Sequence, residues 1–177
     1  MLHSIRIPLN GYNWTITDNR SYFVDGQIPA TIHTILHRAN QITEPYWNYN
    51  DVDQRSLIYS SWTFRKKFLL TKTFLMLKTF QLHFNQIDTV ANITLNKCFI
   101  DRTDNMFRAY TFNITRSCLQ MNNELKIDFE SPVKFAYEQA KVYNDNVPPD
   151  CPPNVQHGEC HVQFIRKEPC SFSWDWV

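Results

Sequence analysis

Residues 124–130 constrain the fold more than any other stretch of the chain, because Leu125, Ile127 and Phe129 alternate there with Glu124, Lys126, Asp128 and Glu130. A two-residue period sends apolar side chains to one side of a strand and charges to the other, so this segment predicts a strand with one face on a core and one in water. The period recurs elsewhere. Phe74, Met76, Phe80, Leu82 and Phe84 share one face of a strand expected over 74–84, with Thr79, Gln81 and His83 opposite and Lys78 interrupting near an edge. Ile87, Ala91, Ile93 and Leu95 share a side and leave Asn92 on the outer one. Trp62, Phe64 and Phe68 mark a strand running to Leu70, and 106–112 and 162–167 read as two more. Five to eight short strands at this spacing predict an all-β chain, a sandwich.

Two short helices interrupt the pattern. Ile32, Ile35, Leu36 and Ala39 follow the i, i+3, i+4, i+7 spacing after Pro29, and Val133, Ala136, Tyr137 and Ala140 repeat it after Ser131 and Pro132. Ser131 serves as N-cap with Pro132 at the first helical position. Residues 144–160 contain Pro148, Pro149, Pro152 and Pro153, and proline cannot donate to a ladder, so they form a loop. No repeat or linker divides the chain, so 1–177 reads as one domain. A chain of this length buries roughly 70% of the surface its unfolded form exposes.

With 18 basic and 17 acidic residues the net charge is +1, which provides no long-range field for a polyanion and excludes a nucleic-acid partner. No stretch approaches the ~20 apolar residues of a membrane span. Four sequons, at Asn13, Asn19, Asn92 and Asn113, point to the secretory lumen. The opening eight residues lack the apolar centre of a signal peptide, so the leader is expected upstream of this chain.

Five cysteines cannot all pair within one chain. Cys151 and Cys160 flank the proline-rich loop, and a disulfide there closes it in an oxidising compartment. The competing reading is a metal held by Cys151, His157, Cys160 and His161, whose spacing matches no common zinc site. Cys98 is expected as a buried thiol in the strand region, and Cys118 and Cys170 stay unassigned.

Glycosidic cleavage needs two carboxylates held across a scissile bond. Asp51 with Asp53, Asp101 with Asp104, and Glu159 with Glu168 are available, yet each reads as a pair of solvated loop acids. No nucleophile elbow, phosphate loop or histidine-rich metal motif is present, so the residues define no self-contained active site and no cofactor. The ending Trp174-Asp175-Trp176 is the strongest local oddity. Two indoles offer an apolar wall to the CH face of a sugar, and the carboxylate between them accepts hydroxyl hydrogen bonds; the same composition also suits core or terminal packing.

A series of short motifs runs along nearly the whole chain: Leu9 to Trp14, Ile28 to His33, Glu44 to Asp51, Trp62-Thr63-Phe64, Asp88-Thr89, Asp104-Asn105-Met106-Phe107, Val147 to Pro153, Gly158 to Val162, Ile165-Arg166-Lys167 and Ser171 to Trp176. Their order and spacing together resemble the N-terminal domain of the animal lysosomal β-mannosidases, a family of retaining glycoside hydrolases. The resemblance implies a galactose-binding-like jelly roll that precedes immunoglobulin-like and (β/α)8-barrel domains, with the catalytic glutamates on the barrel, beyond this chain. It implies β-mannoside oligosaccharides such as N-glycan core fragments as substrate, no cofactor, and a lysosomal location. It also implies that Trp174, Asp175 and Trp176 contact the terminal mannose, makes Asn105 a further site candidate or a turn cap, and supports the Cys151 to Cys160 disulfide. Three positions depart from the family pattern. Ala30, Gln86 and Val177 stand where glycine is usual, the first two at turns expected to want positive φ. A stand-alone carbohydrate-binding module is the rival reading, and the equivalent domain of a β-galactosidase or β-glucuronidase a third, which the Trp-Asp-Trp ending disfavours.

Overall fold

The computed structural model describes residues 5–145, 147 and 161–168. Among the described residues eight strands form: β1 (Gly11–Thr17), β2 (Phe23–Ile28), β3 (Trp62–Leu69), β4 (Gln81–Phe84), β5 (Ala91–Leu95), β6 (Cys98–Thr103), β7 (Tyr110–Asn113) and β8 (Asn122–Phe129). Six make one sheet in the order β2-β1-β3-β8-β5-β6, and β4 pairs β7 in a second. Every pairing is antiparallel.

Register explains the core. Val24 lies opposite Ile16, Ile16 opposite Phe64, Phe64 opposite Ile127 and Ile127 opposite Ile93. That apolar row crosses five strands, and all five side chains are buried. One residue along, the other face carries Arg65 opposite Lys126, with Arg65 paired to Glu124 at 3.3 Å and Lys126 to Asp128 at 2.7 Å. A slip of one residue would exchange these faces, so the alternation in β8 fixes the register of its neighbours. The small sheet closes the sandwich with Leu82, Phe84 and Phe112, which pack on the same core with Phe80 and Ile114.

Helix α1 (Ile32–Arg38) covers the β2 edge. A Cβ added at Gly26 would sit 2.7 Å from Ile16 Cδ1 and 3.0 Å from Ile35 Cγ2, so glycine there is a condition of helix–sheet contact. Two four-residue helices follow, α2 (Asn50–Asp53) and α3 (Lys72–Leu75). Helix α4 (Pro132–Val142) starts at Ser131, whose side chain accepts from the Lys134 N–H and donates to the Ile58 carbonyl at 2.7 Å. Both expected helices are therefore present, and the two short ones were not anticipated.

The chain has only three glycines, and asparagine takes their place where the backbone turns left-handed. Asn13, Asn19, Asn40, Asn48 and Asn96 have φ between 53° and 63°, a region asparagine tolerates better than other residues with a Cβ. Ala30 and Gln86 are not among the positive-φ positions, so their departure from glycine carries no backbone penalty of that kind.

Several expectations need correction. Residues 74–84 do not form one strand, because Thr71 caps α3 by accepting from the Phe74 N–H at 3.1 Å, and only Gln81–Phe84 is extended. Met76, placed on the core face by periodicity, is exposed. Residues 162–167 form a 3-10 turn over Val162–Phe164 and a single bridge, not a strand. Met106 lies in a turn, and extension begins at Tyr110.

Cys98 is not a free thiol. It is bonded to Cys118, tying the start of β6 to the 3-10 turn Arg116–Cys118. A link across a sequence separation of 20 stabilises by about 3 kcal/mol through the unfolded state. The double substitution Cys98→Ser, Cys118→Ser should lower the unfolding free energy in urea by about that amount, and reductant should shift the unsubstituted chain by at least as much. Identical midpoints with and without reductant would mean the sulfurs are not joined.

Candidate functional site

Three segments far apart in sequence meet at one rim of the sandwich. The Asp104–Phe107 turn follows β6, the Asp88-Thr89 pair precedes β5, and the segment 165–168 returns to lie on both. Arg166 bridges Asn105 in parallel fashion, and the Met106 N–H donates to the Arg166 carbonyl at 3.0 Å. The Glu168 N–H donates to Met106 Sδ at 3.1 Å. Lys167 Nζ bonds Asp88 Oδ2, and the Thr89 hydroxyl bonds the other oxygen of that carboxylate. Ile165 is buried in a satellite cluster with Val90, Val133 and Ala136, beneath these polar contacts.

The Asn105 side chain has a local duty. Its Oδ1 accepts from the Phe107 N–H at 2.8 Å, while the Tyr110 hydroxyl donates to the Asn105 carbonyl at 2.9 Å and accepts from its N–H at 3.0 Å. Asn105 and Tyr110 thus shape the turn that receives Arg166. An apolar anchor, a β-bridge, one backbone-to-sulfur contact and an ion pair fix the last described residues in place. Asp175 is seven positions beyond Glu168, a length of chain that spans at most about 25 Å even when extended.

Trp174, Asp175 and Trp176 lie outside the described residues, as do Cys151, Cys160 and Cys170. Among the candidate acid pairs, neither of the two fully described is the pair of loop acids expected: Asp51 and Asp53 are exposed on α2, Asp101 is exposed on β6 and Asp104 in the turn after it, Glu168 is exposed, and Glu159 is outside the described residues. Asp101 and Asp104 border a shallow polar hollow with Arg102, Arg108 and Tyr110, where Arg102 is already paired to Glu130 at 2.9 Å and Arg108 sits over the Tyr110 ring.

Perturbed titrating groups lie away from this rim. Burial acts to raise the Asp18 carboxyl, but the N–H groups of Tyr22, Arg20 and Ser21, each at 2.9 Å, outweigh it and hold the group below the usual carboxylate range. It is a turn cap between β1 and β2. Burial pushes the His33 imidazole down. Among the described residues no three His, Cys, Asp or Glu side chains are grouped to hold a metal ion, and no helix is long and apolar enough to cross a membrane. Asn13, Asn19 and Asn113 are exposed and Asn92 is half-buried on β5.

The sequence pattern by itself assigns Lys167 and Asp88 no role. The available signal was their place in two of the recurring motifs, which the fold brings together.

An antiparallel sandwich of this kind, a six-stranded sheet closed by a two-stranded one, is of the galactose-binding-like class. The chain belongs to the glycosyl hydrolase 2 galactose-binding domain-like family, whose model matches residues 14–177. It is 41% identical to β-mannosidase of Bos taurus over 97% of its length, and 32% identical to a probable β-mannosidase of Caenorhabditis elegans over 93%. The solved β-D-mannosidase of Dictyoglomus thermophilum superposes with a TM-score of 0.82 at 32% identity, over 95% of this chain and 20% of that one. The chain spans about a fifth of the curated relatives it matches, 20% of the bovine protein. That fifth is their N-terminal domain and not their catalytic domain.

Proposed function

We propose that this chain is the substrate-orienting N-terminal domain of a β-mannosidase that removes terminal non-reducing β-D-mannose from N-glycan-derived oligosaccharides. In this reading residues 1–177 are one domain of a longer enzyme, and a downstream (β/α)8 barrel supplies the acid/base and nucleophile glutamates. Trp174, Asp175 and Trp176 orient the terminal sugar, Asp175 by accepting hydroxyl hydrogen bonds and an indole by covering the CH face. Asn105 contributes by shaping the turn on which Arg166, just before that tail, is held. The enzyme works in the lysosome, with the four sequons glycosylated and Cys151 joined to Cys160.

The observation that carries this reading is the lashing of Arg166 and Lys167 to Asn105 and Asp88. A tail that only filled space would need no such fixed origin, whereas a tail that positions a sugar needs a rigid base.

The test uses a chromogenic β-mannoside. The isolated chain should release nothing above buffer, and a hybrid in which this chain replaces the N-terminal fifth of the bovine β-mannosidase should hydrolyse it. Turnover by the isolated chain would overturn the division of labour. Silence from a folded hybrid would overturn the β-mannosidase assignment.

A further inference from the structure

One feature of the sandwich serves neither the core nor the rim site. The turn-rich segment between α1 and α2 presents Tyr46, Trp47 and Tyr49 at 98%, 72% and 72% exposure, with Val52 of α2 also exposed. Large aromatic rings this open are uncommon on a soluble surface, and Tyr and Trp are the residue types that dominate binding hot spots.

The segment is held in shape. Asn50 Nδ2 donates to the Glu44 carbonyl at 2.7 Å, the Trp47 N–H to the same carbonyl at 3.2 Å, and the Asp53 N–H to the Tyr49 carbonyl at 3.1 Å. Asn48 adopts φ 57°, and Gln54 Nε2, from the buried side chain that follows α2, donates to the Thr43 carbonyl at 3.0 Å. The rings are therefore displayed on a pre-ordered support, which lowers the entropy lost when they are covered. Glu44, Asn48 and Asp51 surround them with polar groups, as at an interface with an apolar centre and a polar rim.

We infer that Tyr46, Trp47 and Tyr49 form a docking face for the part of the enzyme that follows this domain in the same polypeptide. The inference rests on the β-mannosidase reading above. Three rings at these exposures offer on the order of 500 Å², short of the roughly 800 Å² per partner of a standard interface between free proteins. A separate partner or second copy would also have to overcome the loss of translational and rotational freedom. A covalently attached neighbour is exempt from most of that cost, because tethering gives it a high effective concentration, and interfaces between domains of one chain extend down to about 600 Å². The relatives supply such a neighbour, since four-fifths of their length lies beyond the matched region.

The position of the face agrees. Helix α2 runs directly into the 3-10 turn Gln54–Tyr59, that turn packs on α4, and α4 packs on the 3-10 turn Val162–Phe164. The loop and the segment from which the chain departs are thus linked through contiguous elements.

The experiment compares Tyr46→Ala, Trp47→Ala, Tyr49→Ala in two settings. In the isolated chain the triple substitution should leave the thermal midpoint within about 1 °C, because exposed side chains contribute little. In the bovine hybrid it should lower the midpoint by at least about 3 °C and reduce hydrolysis. A hybrid that hydrolyses normally with an unmoved midpoint overturns the docking face and leaves the β-mannosidase reading intact. An unsubstituted hybrid that folds and hydrolyses nothing removes that reading and the docking face with it. Two further outcomes overturn the proposal: sedimentation of the isolated chain as a dimer that the triple substitution dissolves, and calorimetric binding of mannobiose to the isolated chain that the same substitution abolishes. The first would assign the rings to a second copy, the second to a sugar platform.

Discussion

Trp14→Ala is expected to lower the unfolding free energy of the isolated chain by about 3–5 kcal/mol, the cost of emptying a fully packed aromatic site. Trp14 is 1% exposed and belongs to the main core. It sits on β1 beside an irregularity in register between Gly11 and Trp14, where Gly11 has φ 93° and Asn13 φ 63°. The irregularity aims the indole inward, and its Nε1 donates to the Leu9 carbonyl at 2.8 Å. Alanine therefore leaves a cavity and also removes the donor that ties the chain before β1 to the sandwich. Trp14→Phe restores most of the volume without the donor and should cost about 1–2 kcal/mol, one lost hydrogen bond plus imperfect fit. Urea denaturation separates the cases. A Trp14→Ala loss below about 1 kcal/mol would mean that β1 does not close the core. The contrast with Trp47, 72% exposed, is instructive: the same residue type in the same chain should be structurally silent at one position and decisive at the other.

What the sequence made legible follows from which interactions are local. The alternation in β8 is visible because it is the central strand between β3 and β5 with Leu125, Ile127 and Phe129 on one face, and the fold preserves it. Helix α4 announces itself through Ser131 and Pro132. The strands that escaped notice are β1, β2 and β6. Their periodicity is disturbed by the irregularity near Asn13, by Gly26, and by the register shift between Ile93 and Thr94 opposite β6. Residues 74–84 misled in the opposite sense, since apolar side chains at even spacing also suit a helical turn followed by a short strand, and the Thr71 cap decided between them. The Cys98 to Cys118 bond was not readable, because the chain between them runs through β6 and β7, and it is the placing of those two strands in the sandwich that sets the cysteines side by side. At the candidate site, the motifs Asp88-Thr89, Asp104 to Phe107 and Ile165 to Lys167 were individually visible, while their convergence is a property of the tertiary fold alone.

The second large effect concerns Asp175 in the bovine hybrid, where Asp175→Ala should reduce kcat/KM for a chromogenic β-mannoside roughly 10- to 150-fold, the range for losing one charge-assisted hydrogen bond to the sugar. Asp175→Asn keeps the shape and one acceptor but loses the charge, so its loss should be smaller. The thermal midpoint should stay unchanged in both, since an orienting carboxylate contributes to substrate binding and not to the fold. Lys167 provides the discriminating control. It does not belong to the proposed sugar contact but is paired with Asp88 at the base of the tail, so Lys167→Met should weaken catalysis only by loosening the position of Asp175. If so, the two substitutions are not independent: once Asp175 is alanine, freeing the base has little left to disturb, and the double variant should resemble Asp175→Ala alone. Losses that multiply would show that Lys167 acts through another route, and an unchanged kcat/KM in Asp175→Ala would remove the tail from the substrate site. The coupling is thus the more informative quantity, because it ties a contact seen in the described fold to the sugar contact proposed for Asp175, eight positions further along the chain.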